Sequence, residues 1–180
     1  MIDMIKIKAP IALLIVGSWI GLSGCQSDSV LDVDLCQPYD GLTPLCGYQS
    51  PEDLALLPDS SGLLVSEFGQ MGETQGQLSI LSIPNHSRTV IYKANMHRQT
   101  RSAVAIWGDP NCSEPESFSP HGFDLAQRPS GRWQLLVVNH AERERIEFFE
   151  LSNNEASEWS VVWRGCVQSS DDSIYNDVAA

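Results

Sequence analysis

Positive charge is what this sequence has least of. Its 180 residues carry 11 Lys and Arg against 23 Asp and Glu, a formal net charge of −12. A chain this acidic repels nucleic acid and anionic lipid surfaces, so nucleic acid is excluded as a partner. CxxC pairs are also missing, which leaves a zinc or thioredoxin-like reading little support. From about residue 50 onward no stretch places apolar residues at helical spacing. Nor does the most apolar run, Ala9–Gly24, reach across a bilayer: it has 16 residues, against the roughly 20 a span needs.

That short run has another use. Lys6 and Lys8 precede it, and it carries no charge, which is the layout of a secretory signal. It ends in Leu22-Ser23-Gly24-Cys25, which reads as a lipobox, with small residues before a cysteine that is acylated and becomes the new N-terminus. Residues 1–24 are therefore expected to be a lipoprotein signal peptide and residues 25–50 a lipid-anchored tether. An ordinary signal or anchor helix with an incidental cysteine is the competing reading. Two or three acyl chains anchor durably, because each buried CH₂ contributes about 0.8 kcal/mol. Gln26 stands where an aspartate would favour retention in the inner membrane. The expected location is outside the cytoplasm of a bacterial cell, with the outer membrane or periplasm preferred. Removing the signal takes Asp3, Lys6 and Lys8 with it, leaving 22 acids, 9 bases and a charge of −13. Such a chain suits a cation binder outside the cell, though acidity alone does not establish one.

Four cysteines remain after lipidation of Cys25, namely Cys36, Cys46, Cys112 and Cys166. An even count in an oxidising compartment points to two disulfides, with three connectivities open. The expected pairs are Cys36–Cys46 and Cys112–Cys166.

Residues 26 to about 50 hold Pro38, Gly41, Pro44 and Gly47 with little periodicity, as a tether does. Beyond them, short apolar runs alternate with turn residues, the pattern of an all-β fold. Leu54–Leu57 and Leu63–Glu67 flank Pro58–Gly62; Gln77–Ile83 and Thr89–Tyr92 flank Pro84–Ser87. Phe123–Ala126, Gln134–Val138, Ile146–Leu151 and Trp159–Arg164 follow. The pattern repeats: Pro51-Glu52-Asp53-Leu54 and Pro120-His121-Gly122-Phe123 each open a meander and reach a Ser-Gly turn at the same offset. Tyr175-Asn176-Asp177 begins a third copy, the starts being 69 and 55 residues apart. This predicts a six-bladed β-propeller, of which residues 51–180 supply about two to three blades at roughly 40–50 residues each. In a propeller the innermost strand of every blade lines the central channel. Equivalent residues at the strand starts then converge.

Glu52, His121 and Asn176 hold that equivalent position, and Asp53 and Asp177 follow two of them. The acids and the amide offer only hard oxygens, the ligands calcium prefers at about six to eight per ion. A solvated turn is the plainer reading of Glu-Asp before a strand. His121 starts an inner strand and His140 ends the next, so a hairpin would bring both imidazoles to one end. Such a pair suits general-base chemistry, although two histidines in polar loops would look the same. His86 and His97 read as surface residues.

At these residues the chain resembles the paraoxonase (arylesterase/lactonase) family. Pro51-Glu52-Asp53-Leu54, Ser119-Pro120-His121-Gly122-Phe123, Leu135-Leu136-Val137-Val138-Asn139-His140 and Asn176-Asp177-Val178 carry the likeness over residues 46 to 180. The broader senescence-marker/gluconolactonase propellers are a wider match without the histidine pair. The resemblance implies two calcium ions. Glu52 and Asn176 match ligands of a catalytic ion; Asp53, Asp177 and the carbonyl of Phe123 match ligands of a structural one. It also implies that His121 and His140 form a catalytic dyad for ester or lactone hydrolysis. Since the chain is shorter than six blades require, these 180 residues alone are expected to turn over such substrates weakly or not at all. A sugar-lactone hydrolase of gluconolactonase type and a non-catalytic surface-binding propeller are the alternatives.

Overall fold

The computed structural model describes residues 36–70, 73–96, 106–154, 156, 158–170 and 173–180. The signal peptide 1–24, the lipidation site Cys25 and His97 lie outside them. Two units divide the chain. Of Met1–Gln37 only Cys36 and Gln37 are described, and everything below concerns Pro38–Ala180.

This unit is all-β, and its described residues form two sheets. The first is an antiparallel meander of β1 (Pro51–Leu56), β2 (Gly62–Glu67), β3 (Gln77–Ser82) and β4 (Arg88–Tyr92), in that order. The second holds β5 (Trp107–Gly108), β6 (Pro120–Gln127), β7 (Trp133–Asn139), β8 (Arg145–Asn153) and β9 (Trp159–Gln168), ordered β5-β9-β8-β7-β6. Every long strand falls on an apolar run bounded by turn residues. The short β5 was not expected. It pairs parallel to β9, with Trp107 opposite Gly165 and Gly108 opposite Cys166. A Cβ on Gly108 or Gly165 would collide with the facing backbone, and Gly108 also takes a positive φ of 81°. The Cys112–Cys166 disulfide, across Cα atoms 5.6 Å apart, fastens that edge. Cys46 is also disulfide-bonded.

β8 shows why these runs become strands. Glu147, Phe149 and Leu151 point inward at period two, while Ile146, Phe148 and Glu150 are half-exposed. The core lies between the sheets: Leu57, Leu64, Leu78 and Tyr92 from the first meet Phe118, Leu135, Val137, Phe149 and Leu151 from the second. Tyr92, Phe118 and Phe149 pack edge to face, with centroids 4.7 to 5.9 Å apart. Among the described residues two carboxylates are wholly buried, each beside an arginine. Glu67 meets Arg88, Gln77 and Ser79. Glu147 meets Arg145, Asn139 and Trp163.

The end of the expected tether belongs to this unit. Gly47 accepts from Arg88, the Gln49 N–H donates to Glu67, and Ser50 accepts from the Phe68 N–H. The folded body therefore begins before residue 51. Residues 173–180, expected to open a third repeat, form no strand and lie along β6 instead.

Candidate functional site

The site gathers where β1 and β6 start, because those two strands pack side by side. Both begin with an irregular register. Pro51 pairs with Glu67 and Asp53 with Ser66, so Glu52 is an extra residue in β1. Pro120 pairs with Asn139 and Phe123 with Val137, so His121 and Gly122 together oppose Val138 alone. A bulge of this kind bends its strand and re-aims a side chain. Here it turns Glu52 and His121 toward each other: Glu52 Oε2 lies 3.4 Å from His121 Nε2.

Asp53, one residue on, lies on the half-buried face of β1 with Ala55. Its Oδ2 accepts from the Phe123 N–H at 2.9 Å, linking β1 to β6, and its Oδ1 accepts from the Leu54 N–H. Phe123 itself is buried in the core.

Residues 173–180 close over this junction. The carbonyl of Asn176 accepts from the Gly122 N–H at 3.2 Å and lies 2.7 Å from His121 Nδ1. Since a carbonyl only accepts, Nδ1 of His121 carries the proton. Its Nε2 lone pair is then left facing the Glu52 carboxylate, an arrangement that calls for a proton or a cation beside it. Asp177 accepts from Val178, and Asp124 accepts from the Ala180 N–H at 2.8 Å. Gly122 makes the close approach possible. A Cβ there would lie 2.5 Å from both the Asn176 carbonyl oxygen and Asp177 Oδ1.

His140 follows β7 and is held by its N–H to the Ser119 carbonyl, which brings it beside the start of β6. The imidazole centroids of His121 and His140 are 5.1 Å apart. Phe68 presents its ring to both, at 6.0 and 5.8 Å, and forms an apolar wall. His140 Nδ1 lies 2.8 Å from Glu144 Oε2. His86 sits exposed in the β3–β4 turn, away from this cluster.

The seven positions Glu52, Asp53, His121, Phe123, His140, Asn176 and Asp177 thus lie at one end of the paired strands. Among the described residues no three His, Cys, Asp or Glu side chains are grouped as ligands of one metal ion. The oxygens at hand are the Glu52, Asp53 and Asp177 carboxylates and the amide and backbone carbonyl of Asn176. All are hard donors of the type calcium takes, short of a full shell of about six to eight. Three neighbours were not anticipated. Phe68 follows β2, Asp124 lies within β6, and Glu144 lies between β7 and β8. Only the i,i+4 spacing of Glu144 from His140 hinted at a partnership. No protein-family model matches this chain, and no curated protein matches it either.

Proposed function

We propose that this end of the fold is the hydrolytic site of a calcium-dependent esterase or lactonase of paraoxonase type. On this reading the two sheets are successive blades of a six-bladed propeller, β1 and β6 are their innermost strands, and the junction between them faces the channel. The observation that carries the reading is the paired bulge. Two strand starts 69 residues apart deviate at equivalent points, and the result is a carboxylate, two imidazoles and an amide-bearing segment within reach of one another. A pair of solvated turns has no need of that coincidence.

Glu52 and Asn176 would hold a catalytic calcium, and Asp53, Asp177 and the Phe123 carbonyl a structural one. When bound, the catalytic ion would polarise the substrate carbonyl and stabilise the oxyanion. The chain's own residues do the proton work. With Nδ1 of His121 tied to the Asn176 carbonyl, Nε2, which faces Glu52, is the nitrogen that would accept a proton from water once Glu52 is engaged by the calcium. His140, with its ring centroid 5.1 Å away, receives or relays that proton. Phe68 would give the pair an apolar wall on one side. The substrate is a small ester or lactone. The same proposal places the protein outside the cell, held to a membrane by a lipid on Cys25.

The test is turnover of phenyl acetate and of simple lactones, weak in these 180 residues and so measured at high protein concentration, in calcium and in EDTA. EDTA should abolish hydrolysis. His121→Gln should lower it by roughly 10²–10⁴-fold, the range for losing a general base, without changing calcium content. Turnover indifferent to both perturbations would remove the proposal.

A further inference from the structure

Between His140 and Arg145 the chain makes a tight reversal. Arg143 donates to the Ala141 carbonyl and Glu142 takes a left-handed φ of 59°. The reversal returns Glu144 to the histidine that precedes it. Both carboxylate oxygens are engaged: Oε2 lies 2.8 Å from His140 Nδ1, and Oε1 accepts from the Tyr175 N–H at 2.8 Å. The backbone carbonyl of Glu144 also accepts from the Ser169 N–H. Glu144 is mostly buried, its side chain 15 % exposed, beside a His140 side chain 11 % exposed. A mostly buried carboxylate placed between two N–H donors is a specific arrangement, since each oxygen has a separate partner.

We propose that Glu144 is a positioning residue that fixes the tautomer of His140 and, through the same side chain, docks the segment carrying Asn176 and Asp177. A carboxylate offers only acceptors, so the ring nitrogen facing it must be the protonated one. His140 is then held as its Nδ1–H form, with Nε2 unprotonated and available. His121 is held the same way by the carbonyl of Asn176. Both histidines thereby have Nδ1 anchored; Nε2 of His140 is left open, while Nε2 of His121 faces the Glu52 carboxylate at 3.4 Å. Tyr175 is the residue before Asn176, so the oxygen that accepts from its N–H also sets where the Asn176 carbonyl meets His121. One carboxylate couples the two imidazoles through the intervening segment.

The structural half of this proposal stands without turnover; its catalytic consequence rests on the hydrolytic reading above. The test is ¹⁵N NMR of the histidine rings in the full 180-residue chain at pH 8, with His140 assigned by the loss of its signals in His140→Gln. The wild type should show His140 with Nδ1 protonated and Nε2 unprotonated. In Glu144→Ala the Nε2–H form should become the major one, and the Tyr175 amide should exchange roughly tenfold faster or more. If the hydrolytic reading holds, kcat of that variant falls about tenfold or more, with KM unchanged, as for other orienting partners of functional histidines. The Nε2–H tautomer in the wild type overturns the proposal, whether or not the variant folds. So does a folded Glu144→Ala protein with the wild-type tautomer and Tyr175 exchange. The expected tautomers in a protein whose turnover is indifferent to EDTA and to His121→Gln would uphold this proposal while removing the hydrolytic one.

Discussion

Removing the cation beside Glu147 should destabilise the fold in a way that depends on pH. Glu147 is fully buried on β8, with Arg145 Nε 2.5 Å from one carboxylate oxygen and hydrogen bonds from Asn139 and Trp163. Burial pushes its pKa up, and Arg145 acts in the opposite direction. Arg145→Met keeps much of the aliphatic stem but leaves an ionised carboxylate without a counter-ion. Breaking a buried pair from one side costs about 3–5 kcal/mol. The two remaining donors place this case at the lower end, about 3 kcal/mol. For a unit of this size that corresponds to a fall in Tm of roughly 10 °C at neutral pH. The sign follows from linkage: a carboxylate whose folded pKa is raised stabilises the fold when protonated, and that stability is lost as pH rises through the folded pKa. Without Arg145 the folded pKa rises further. The gap between wild type and variant should therefore be widest at neutral pH and narrow toward and below pH 4.5, the group's ordinary value. Thermal melts at several pH values read this directly. A gap under about 1 kcal/mol, or one that is the same at pH 4 and pH 7.5, would refute the reasoning.

Three further outcomes are expected. Gly122→Ala should lower stability by about 1–3 kcal/mol, because the new Cβ overpacks against Asn176 and Asp177; amide exchange across residues 175–178 should report the displacement. Hydrogen bonds from Ser61 hold the Asp59 pKa below its usual 3.8, and Trp159 adds a further one. Stability from this contact is present above that value and lost as pH falls through the lowered one, and Asp59→Asn should remove that acid-sensitive part of the melt. Cys25→Ser should release the chain from membranes or block its processing, as fractionation and intact mass would reveal; a serine variant that matures and fractionates like the parent refutes the lipid anchor.

Local alternation made most of the strands legible. Leu63–Glu67 and Gln134–Val138 are apolar runs between turn residues, and such runs have few other ways to bury themselves. β5 was illegible for the same reason. Trp107–Gly108 is two residues long, pairs in parallel with a strand over 50 residues away, and depends on a glycine backbone contact that leaves no periodic trace. The site was half legible. The repeat of Pro-Glu-Asp and Pro-His-Gly placed the chemistry-bearing residues at equivalent starts, but not the bulges that turn Glu52 toward His121. Those are settled by pairing with β2 and β7, not by the residues themselves. Residues 175–177 were read as a strand start from their likeness to the other two. Their backbone groups instead pair with Gly122 and Glu144, so they lie across the site. Glu144 lay hidden because Ala141–Arg145 reads as a solvated charged loop until its reversal is known.

A hydrolytic site of this kind requires that these oxygens hold a cation. Isothermal titration of calcium into the 180-residue chain tests that most directly, with Glu52→Gln as the paired sample. A saturable isotherm that weakens in Glu52→Gln, with a higher wild-type Tm in calcium than in EDTA, is the predicted result. No heat of binding, or binding that the substitution leaves unchanged, would contradict it.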